Sequence, residues 1–154
     1  MDASYTSNIT EFAIVLAGFS GLVIAIGSKE GKNSPLTKHR TLCMLSFSFA
    51  AAFGSLLPGL ALSFEIPNTW AFSSYGLICI LLVAVMIVYL STRLILNEEE
   101  RKKLAWYMYI LIYWVNVFLV LLLALMPTAG HFFIALVWQL IVSAILFTRL
   151  ILQS

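Results

Sequence analysis

Apolar residues occur in five long runs along the chain, separated by short polar segments. The runs cover residues 9–26, 41–64, 70–96, 104–126 and 132–152. A helix needs roughly 17–25 mostly apolar residues to cross the hydrocarbon core of a bilayer, and each run is long enough. The pattern predicts an all-α protein, a polytopic integral membrane protein with about five transmembrane helices that form a single domain over residues 1–154.

Polar residues between the runs predict where the helices begin. Asn8 with Glu11 three residues later, and Ser34 before Pro35, are typical of helix N-termini. Asn97 precedes three glutamates, which suit the first turn of a helix. With these boundaries, the helices are expected near residues 9–26, 35–64, 69–96, 98–126 and 129–152.

The composition supports lipid rather than water as the surroundings of the chain. Apolar residues make up 62% of it and charged residues only 10%, whereas a soluble domain carries about a quarter charged residues. The deficit extends over the whole length, so no separate soluble domain is expected. The net charge of +2 does not favour nucleic acid as a partner, and the partner that the composition implies is the lipid bilayer.

The distribution of basic residues predicts an orientation. With five helices, every lysine and arginine falls on one side of the membrane, and a four- or six-helix count would scatter them. The positive-inside rule then places the N-terminus outside and the C-terminus in the cytoplasm, in a membrane of the bacterial inner (plasma) type. Anionic lipid is a possible partner at the basic face. The basic residues are Lys29, Lys32, Lys38, Arg40, Arg93, Arg101, Lys102, Lys103 and Arg149.

Small residues recur at helical spacing in the first two predicted helices. Close backbone approach through such residues drives helix association in lipid, which offers no hydrophobic force of its own. We therefore expect these helices to pack tightly against each other, against a second copy or against another membrane subunit, and the later helices to face lipid. The residues expected at these contacts are Ala13, Ala17, Gly18, Gly21, Ala25, Ala50, Gly54 and Gly59.

Polar residues inside the runs are candidates for function, because polar groups are costly in hydrocarbon. Asn116 and Gln139 are expected at similar depth on neighbouring antiparallel helices. An interhelical hydrogen bond between them, worth about 0.6 kcal/mol and at most roughly 2, is favoured over a substrate site.

A second group of polar residues, Glu11, Glu65 and His131, forms a candidate polar cluster at the outer edge. It could be an acidic vestibule for cations or a shared metal site of unknown occupant. Ordinary contacts with water at the membrane surface are the favoured alternative. His39 is expected to be solvated beside its basic neighbours, and Cys43 and Cys79 are expected to be small buried side chains.

Enzymatic hypotheses find little support in the sequence. Residues 18–21 read Gly-Phe-Ser-Gly, which resembles the G-x-S-G string of rhomboid-type intramembrane proteases. A serine nucleophile needs a base within hydrogen-bond reach, and His39 and His131 are expected at opposite membrane edges. We therefore expect helix-packing sequence here, no enzyme, and no cofactor implied.

Two functional hypotheses remain. The first is a non-catalytic membrane protein that acts through helix–helix assembly, as an accessory or structural subunit or as a self-associating module. The alternative is a homo-oligomeric channel for ions or small solutes, with Glu11 and Glu65 at an acidic outer mouth.

Overall fold

The computed structural model describes residues 34–152 together with Glu11, Ile14, Val15, Gly18 and Gly21. These residues form helices and connecting turns, with no strand among them, as the all-α prediction requires. The helices are α1 (Pro35–Ser63), α2 (Thr69–Leu94), α3 (Glu98–Lys102), α4 (Trp106–Leu125) and α5 (Ala129–Leu152). All but α3 are long and apolar enough to cross a membrane. The described part of the chain is therefore that of a membrane protein with four candidate spans.

The first predicted helix, near residues 9–26, is described only at the five positions just named, and all five are helical. Ala13, Ala17 and Ala25 lie outside the described residues, and so does Ser20 of the protease-like string. A fifth span therefore stays a prediction.

The four long helices run alternately up and down. α1 packs extensively against α2 and α5, and α4 packs more loosely against the same two helices. Side-chain contacts fix the antiparallel register, because His39 at the start of α1 meets Ser91 near the end of α2, and Ser48 meets Ser143 of α5. α1 thus lies diagonally opposite α4.

Charged residues distinguish the two ends of this bundle. The basic end, where α1 and α4 begin and α2 and α5 end, carries the basic side chains Lys38, Arg40, Arg93, Arg101, Lys102, Lys103 and Arg149. The opposite end carries Glu65 and His131.

Two apolar clusters fill the interior. The half towards the opposite end contains Leu77, Leu123, Phe132 and Leu136, none of them exposed. The half towards the basic end is built around Met44, Phe47, Val142 and Leu146. Dispersion contacts in such close packing hold the helices together where the surrounding lipid gives no hydrophobic drive.

Local signals define both ends of α1. Ser34 Oγ accepts a hydrogen bond from the Thr37 amide at 3.2 Å, ahead of Pro35 in the first turn, as the sequence predicts. At the other end the Ile66 amide donates to Ala61 O and the Glu65 amide to Leu62 O. These two hydrogen bonds form a Schellman motif, in which the residue after the cap has a left-handed backbone conformation. Glu65 fills that position with φ 53°, so this residue of the candidate outer cluster belongs to the motif that ends α1.

The prediction of a single helix near 98–126 is wrong, because the structure has two helices in this range. α3 ends at Lys102, residues 103–105 break the chain, and α4 begins at Trp106. The Asn97 backbone amide donates a hydrogen bond to Glu100 Oε2 at 3.0 Å, which closes the acidic first turn of α3. Since this segment is dense in charge, it belongs at the polar surface of a bilayer, and only the apolar α4 suits its interior.

The expectation that the last three long helices face lipid holds only in part. α2 and α4 bury the smallest shares of their apolar spans, but the buried share of α5 is closer to that of α1 than to theirs. The small side chains Ala135 and Ser143 let α5 approach α1 closely, and both are fully buried. The Leu, Ile and aromatic content of α5 did not indicate that this much of the helix is buried.

Candidate functional site

Buried polar side chains form a line inside the bundle, from its basic end to its middle. We call this line the polar ladder. Each side chain in it comes from a position that faces the interior of the bundle, at three- or four-residue spacing from apolar core residues. Its members are His39, Cys43, Ser48, Ser91, Asn116, Gln139 and Ser143, all at most 5% exposed.

The rung nearest the basic end is centred on His39. Its Nδ1 lies 2.6 Å from Ser91 Oγ, and its Nε2 lies 3.6 Å from Cys43 Sγ. Ser91 Oγ in turn donates to Val88 O at 3.0 Å. Because the single hydroxyl proton is used there, Nδ1 of the imidazole donates to Ser91 and Nε2 accepts from the Cys43 thiol. Every polar atom of the rung is then satisfied by a neutral ring.

The expectation that His39 is solvated is wrong, since its side chain has no exposed surface. The sequence held a signal for this, because positions 39, 43 and 47 recur every fourth residue and all three are buried. The prediction of a solvated His39 was based on the adjacent charges of Lys38 and Arg40 and not on this spacing. His39 also lies beside the ring of Tyr109 of α4, with centroids 6.1 Å apart, so it reaches across the bundle.

The second rung joins α1 to α5 through two serines. Ser143 Oγ donates to Met44 O at 3.2 Å, and Ser48 Oγ is hydrogen-bonded to Ser143 Oγ. Since the Ser143 proton is directed at the carbonyl, Ser48 is the donor to Ser143. Two small hydroxyl side chains allow the two helices to approach closely and link them at the same point.

The third rung is the amide pair, and the hydrogen bond that the sequence predicts between its members is present. Gln139 Nε2 donates to Asn116 Oδ1 at 2.9 Å, and Asn116 Nδ2 donates to Ile112 O at 2.8 Å. Gln139 Oε1 is buried and accepts no hydrogen bond from the described residues. The pair thus links α4 to α5 at the middle of both helices.

A double-mutant cycle should measure this link. We expect Asn116→Leu and Gln139→Leu together to cost less than the sum of the single changes, with a coupling of about 0.6 kcal/mol and at most about 1.7. Reversible unfolding of the purified protein in mixed micelles gives the four free energies. Strictly additive losses would show that the hydrogen bond contributes nothing to stability.

A small cavity adjoins the third rung. It has a volume of about 70 Å³ and is lined by residues that include Phe47, Ile112 and Asn116. Such a space is large enough for water. Beyond it, towards the opposite end, the first apolar cluster closes the interior of the described bundle.

The other predicted site residues lie in different surroundings. Ala50 and Gly54 of α1 face the interior, while Gly59, Gly18 and Gly21 are exposed. His131 Nδ1 lies 2.9 Å from Thr128 Oγ1 and from Met126 O, in its own turn. Among the described residues no three His, Cys, Asp or Glu side chains form a group suited to a metal ion. The candidate cluster of Glu11, Glu65 and His131 therefore gains no support as a metal site.

The two cysteines differ. Cys43 is buried as expected, but the expectation is wrong for Cys79, which is exposed on the surface of the bundle. It lies in an apolar groove between α1 and α2.

Comparison with known proteins gives no match: no protein-family model, no curated protein and no solved structure is significantly similar to this chain. Arguments about function therefore depend on its own residues.

Proposed function

We propose that this chain is a small, non-catalytic integral membrane protein that acts through helix–helix assembly. It serves as an accessory or structural subunit of a membrane complex, or as a self-associating module. It crosses a membrane of the bacterial inner type five times, with its N-terminus outside and its basic end in the cytoplasm. The gathering of the basic side chains at one end of the bundle supports this orientation.

The exposed glycines carry the proposal. A Cβ added at Gly18, Gly21 or Gly59 would have no atom within 4 Å, so these positions face open space. Glycine on a lipid-facing surface gives up dispersion contacts that a larger side chain would make with the acyl chains. At a contact between helices the same glycine lets two backbones approach closely. Each of these positions is therefore suited to contact with another transmembrane helix.

The interior supports the same proposal. Apart from Gln139 Oε1, the polar side-chain atoms of the ladder hydrogen-bond to one another or to backbone carbonyls, and the cavity beside it is only about 70 Å³. Ser48 and Ser55 of α1, which a pore between copies would need on the outside, are buried within the single chain. What the molecule offers to its surroundings is its helical surface rather than an internal path.

Enlarging the exposed glycines tests the proposal. We expect Gly21→Leu and Gly59→Leu to lower the molecular mass of the particle purified in mild detergent, because the added side chain separates the packed backbones. Light scattering coupled to size exclusion gives the mass, and co-purifying chains are identified in the same peak. A matched control is Ala124→Leu, which enlarges an exposed position of α4 and should leave the mass unchanged. A wild-type protein that is strictly monomeric, with no partner, would contradict the proposal.

A further inference from the structure

A long groove lies on the surface between α2 and α4, in the half of the bundle next to the basic end. Its volume is about 630 Å³. The wall from α2 includes Val85, Val88 and Tyr89, and the wall from α4 includes Ile110 and Trp114. It arises because α4 packs more loosely against α2 than α1 does.

Two arginines stand at the basic end of this groove. Arg101 Nη2 donates to Arg93 O at 3.0 Å and Arg101 Nε donates to Leu96 O at 3.2 Å, so α3 is tied to the end of α2 and the turn that follows it. The Arg93 guanidinium lies over the ring of Tyr89, 5.2 Å from its centroid. Both side chains line the groove, and no acidic residue does. The groove thus combines an apolar floor with a cationic rim.

We propose that this groove binds one anionic phospholipid. The phosphate lies against Arg93 and Arg101, and an acyl chain runs along the apolar walls towards the middle of the bilayer. Basic pockets between transmembrane helices recognise anionic lipid headgroups in this way. Tyr89 and Trp106 add aromatic rings at the level where headgroups meet hydrocarbon.

The dimensions of the groove suit a lipid of one leaflet. From Arg93 back to Val85 is eight residues of helix, or about 12 Å at roughly 1.5 Å per residue. This is within the ~15 Å that one leaflet contributes to a ~30 Å hydrocarbon core. An acyl chain entering from the basic end therefore fits the groove without reaching the other leaflet.

A second surface groove provides a contrast. The groove between α1 and α2 has a similar volume, about 650 Å³, but no charged residue lines it. Hydrocarbon chains of any lipid can cover such a surface, with no selection by headgroup. Charge is therefore the property that sets the α2–α4 groove apart.

Native mass spectrometry of the full chain, extracted from vesicles of equal phosphatidylglycerol and phosphatidylcholine, tests the proposal. One phosphatidylglycerol should be retained per chain. Each arginine near an anionic headgroup contributes about fivefold in affinity, so we expect a preference of roughly 25-fold over phosphatidylcholine. Arg93→Gln/Arg101→Gln should abolish the preference. The control Lys38→Gln/Lys103→Gln removes the same charge from exposed positions outside the groove and should retain it.

A second variant tests the apolar part of the site. Ile110 is exposed and lines the groove, so Ile110→Phe should reduce retention of the lipid without disturbing the core. Equal retention of both lipids, or an unchanged preference in the double arginine variant, would overturn the proposal. So would a particle of doubled mass without lipid, because a second copy would then cover the groove. The lipid site is independent of the proposed assembly, which the mass of the same samples reports separately.

Discussion

Gly54→Leu is expected to destabilise the bundle by about 3 kcal/mol or more, the largest effect of any single change considered. A Cβ at this position would lie 2.7 Å from Leu77 Cδ1 and 2.9 Å from Leu136 Cδ2. Both leucines are fully buried in the first apolar cluster, so they have little space into which to move. A leucine side chain at position 54 would force α2 and α5 away from α1 together.

Two neighbouring variants make this result specific. Gly54→Ala should cost only about 1 kcal/mol, because the clashing atoms are the ends of side chains that can rotate slightly. Gly59→Leu lies on the same helix in open space and should leave the unfolding free energy of the isolated chain nearly unchanged. Thermal unfolding in detergent, followed by circular dichroism, ranks the three. Equal stability of Gly54→Leu and Gly59→Leu would show that α1 does not pack at Gly54 as described.

Ser143→Leu is expected to cost about 3 kcal/mol, the second largest effect. The hydroxyl links α5 to Ser48 and to Met44 O of α1, and a leucine would remove both hydrogen bonds and overfill a fully buried position. Denaturant unfolding in mixed micelles measures the loss of free energy.

Ser143→Ala separates the two contributions to that loss. Alanine removes the hydrogen bonds and adds no volume, so it should cost about 1 kcal/mol. If Ser143→Ala and Ser143→Leu proved equally unstable, close approach of α1 and α5 at this rung would not be what limits stability.

The long helices were accessible to sequence analysis because hydrocarbon imposes a minimum length on any helix that crosses it. The boundaries of α1, α2 and α5 agree with the expected ones to within two residues at both ends. The break at residues 103–105 was missed because Leu104 and Ala105 look like the start of the apolar run. The helix is interrupted there because the charged α3 lies outside the apolar run that forms α4.

The candidate site was accessible only in part. Asn116 and Gln139 stood out as amides deep in apolar runs, and a short turn between their helices set their relative depth. His39, Ser48, Ser91 and Ser143 gave no comparable signal, since serine is common in transmembrane helices and His39 lies among charges. Which face each helix turns inward depends on contacts between distant segments, and those are fixed by the packing of the whole bundle.

The polar ladder has one further consequence. Side-chain hydrogen bonds join α1 to α2, α1 to α5 and α4 to α5, whereas none joins α2 to α4 in the part of the chain that the structure describes. Three of the four neighbouring helix pairs in the described bundle are thus joined by side-chain hydrogen bonds, and the fourth pair is not. Among the described residues, α2 and α4 of that fourth pair are held by side-chain packing alone, so substitutions there change stability only through packing.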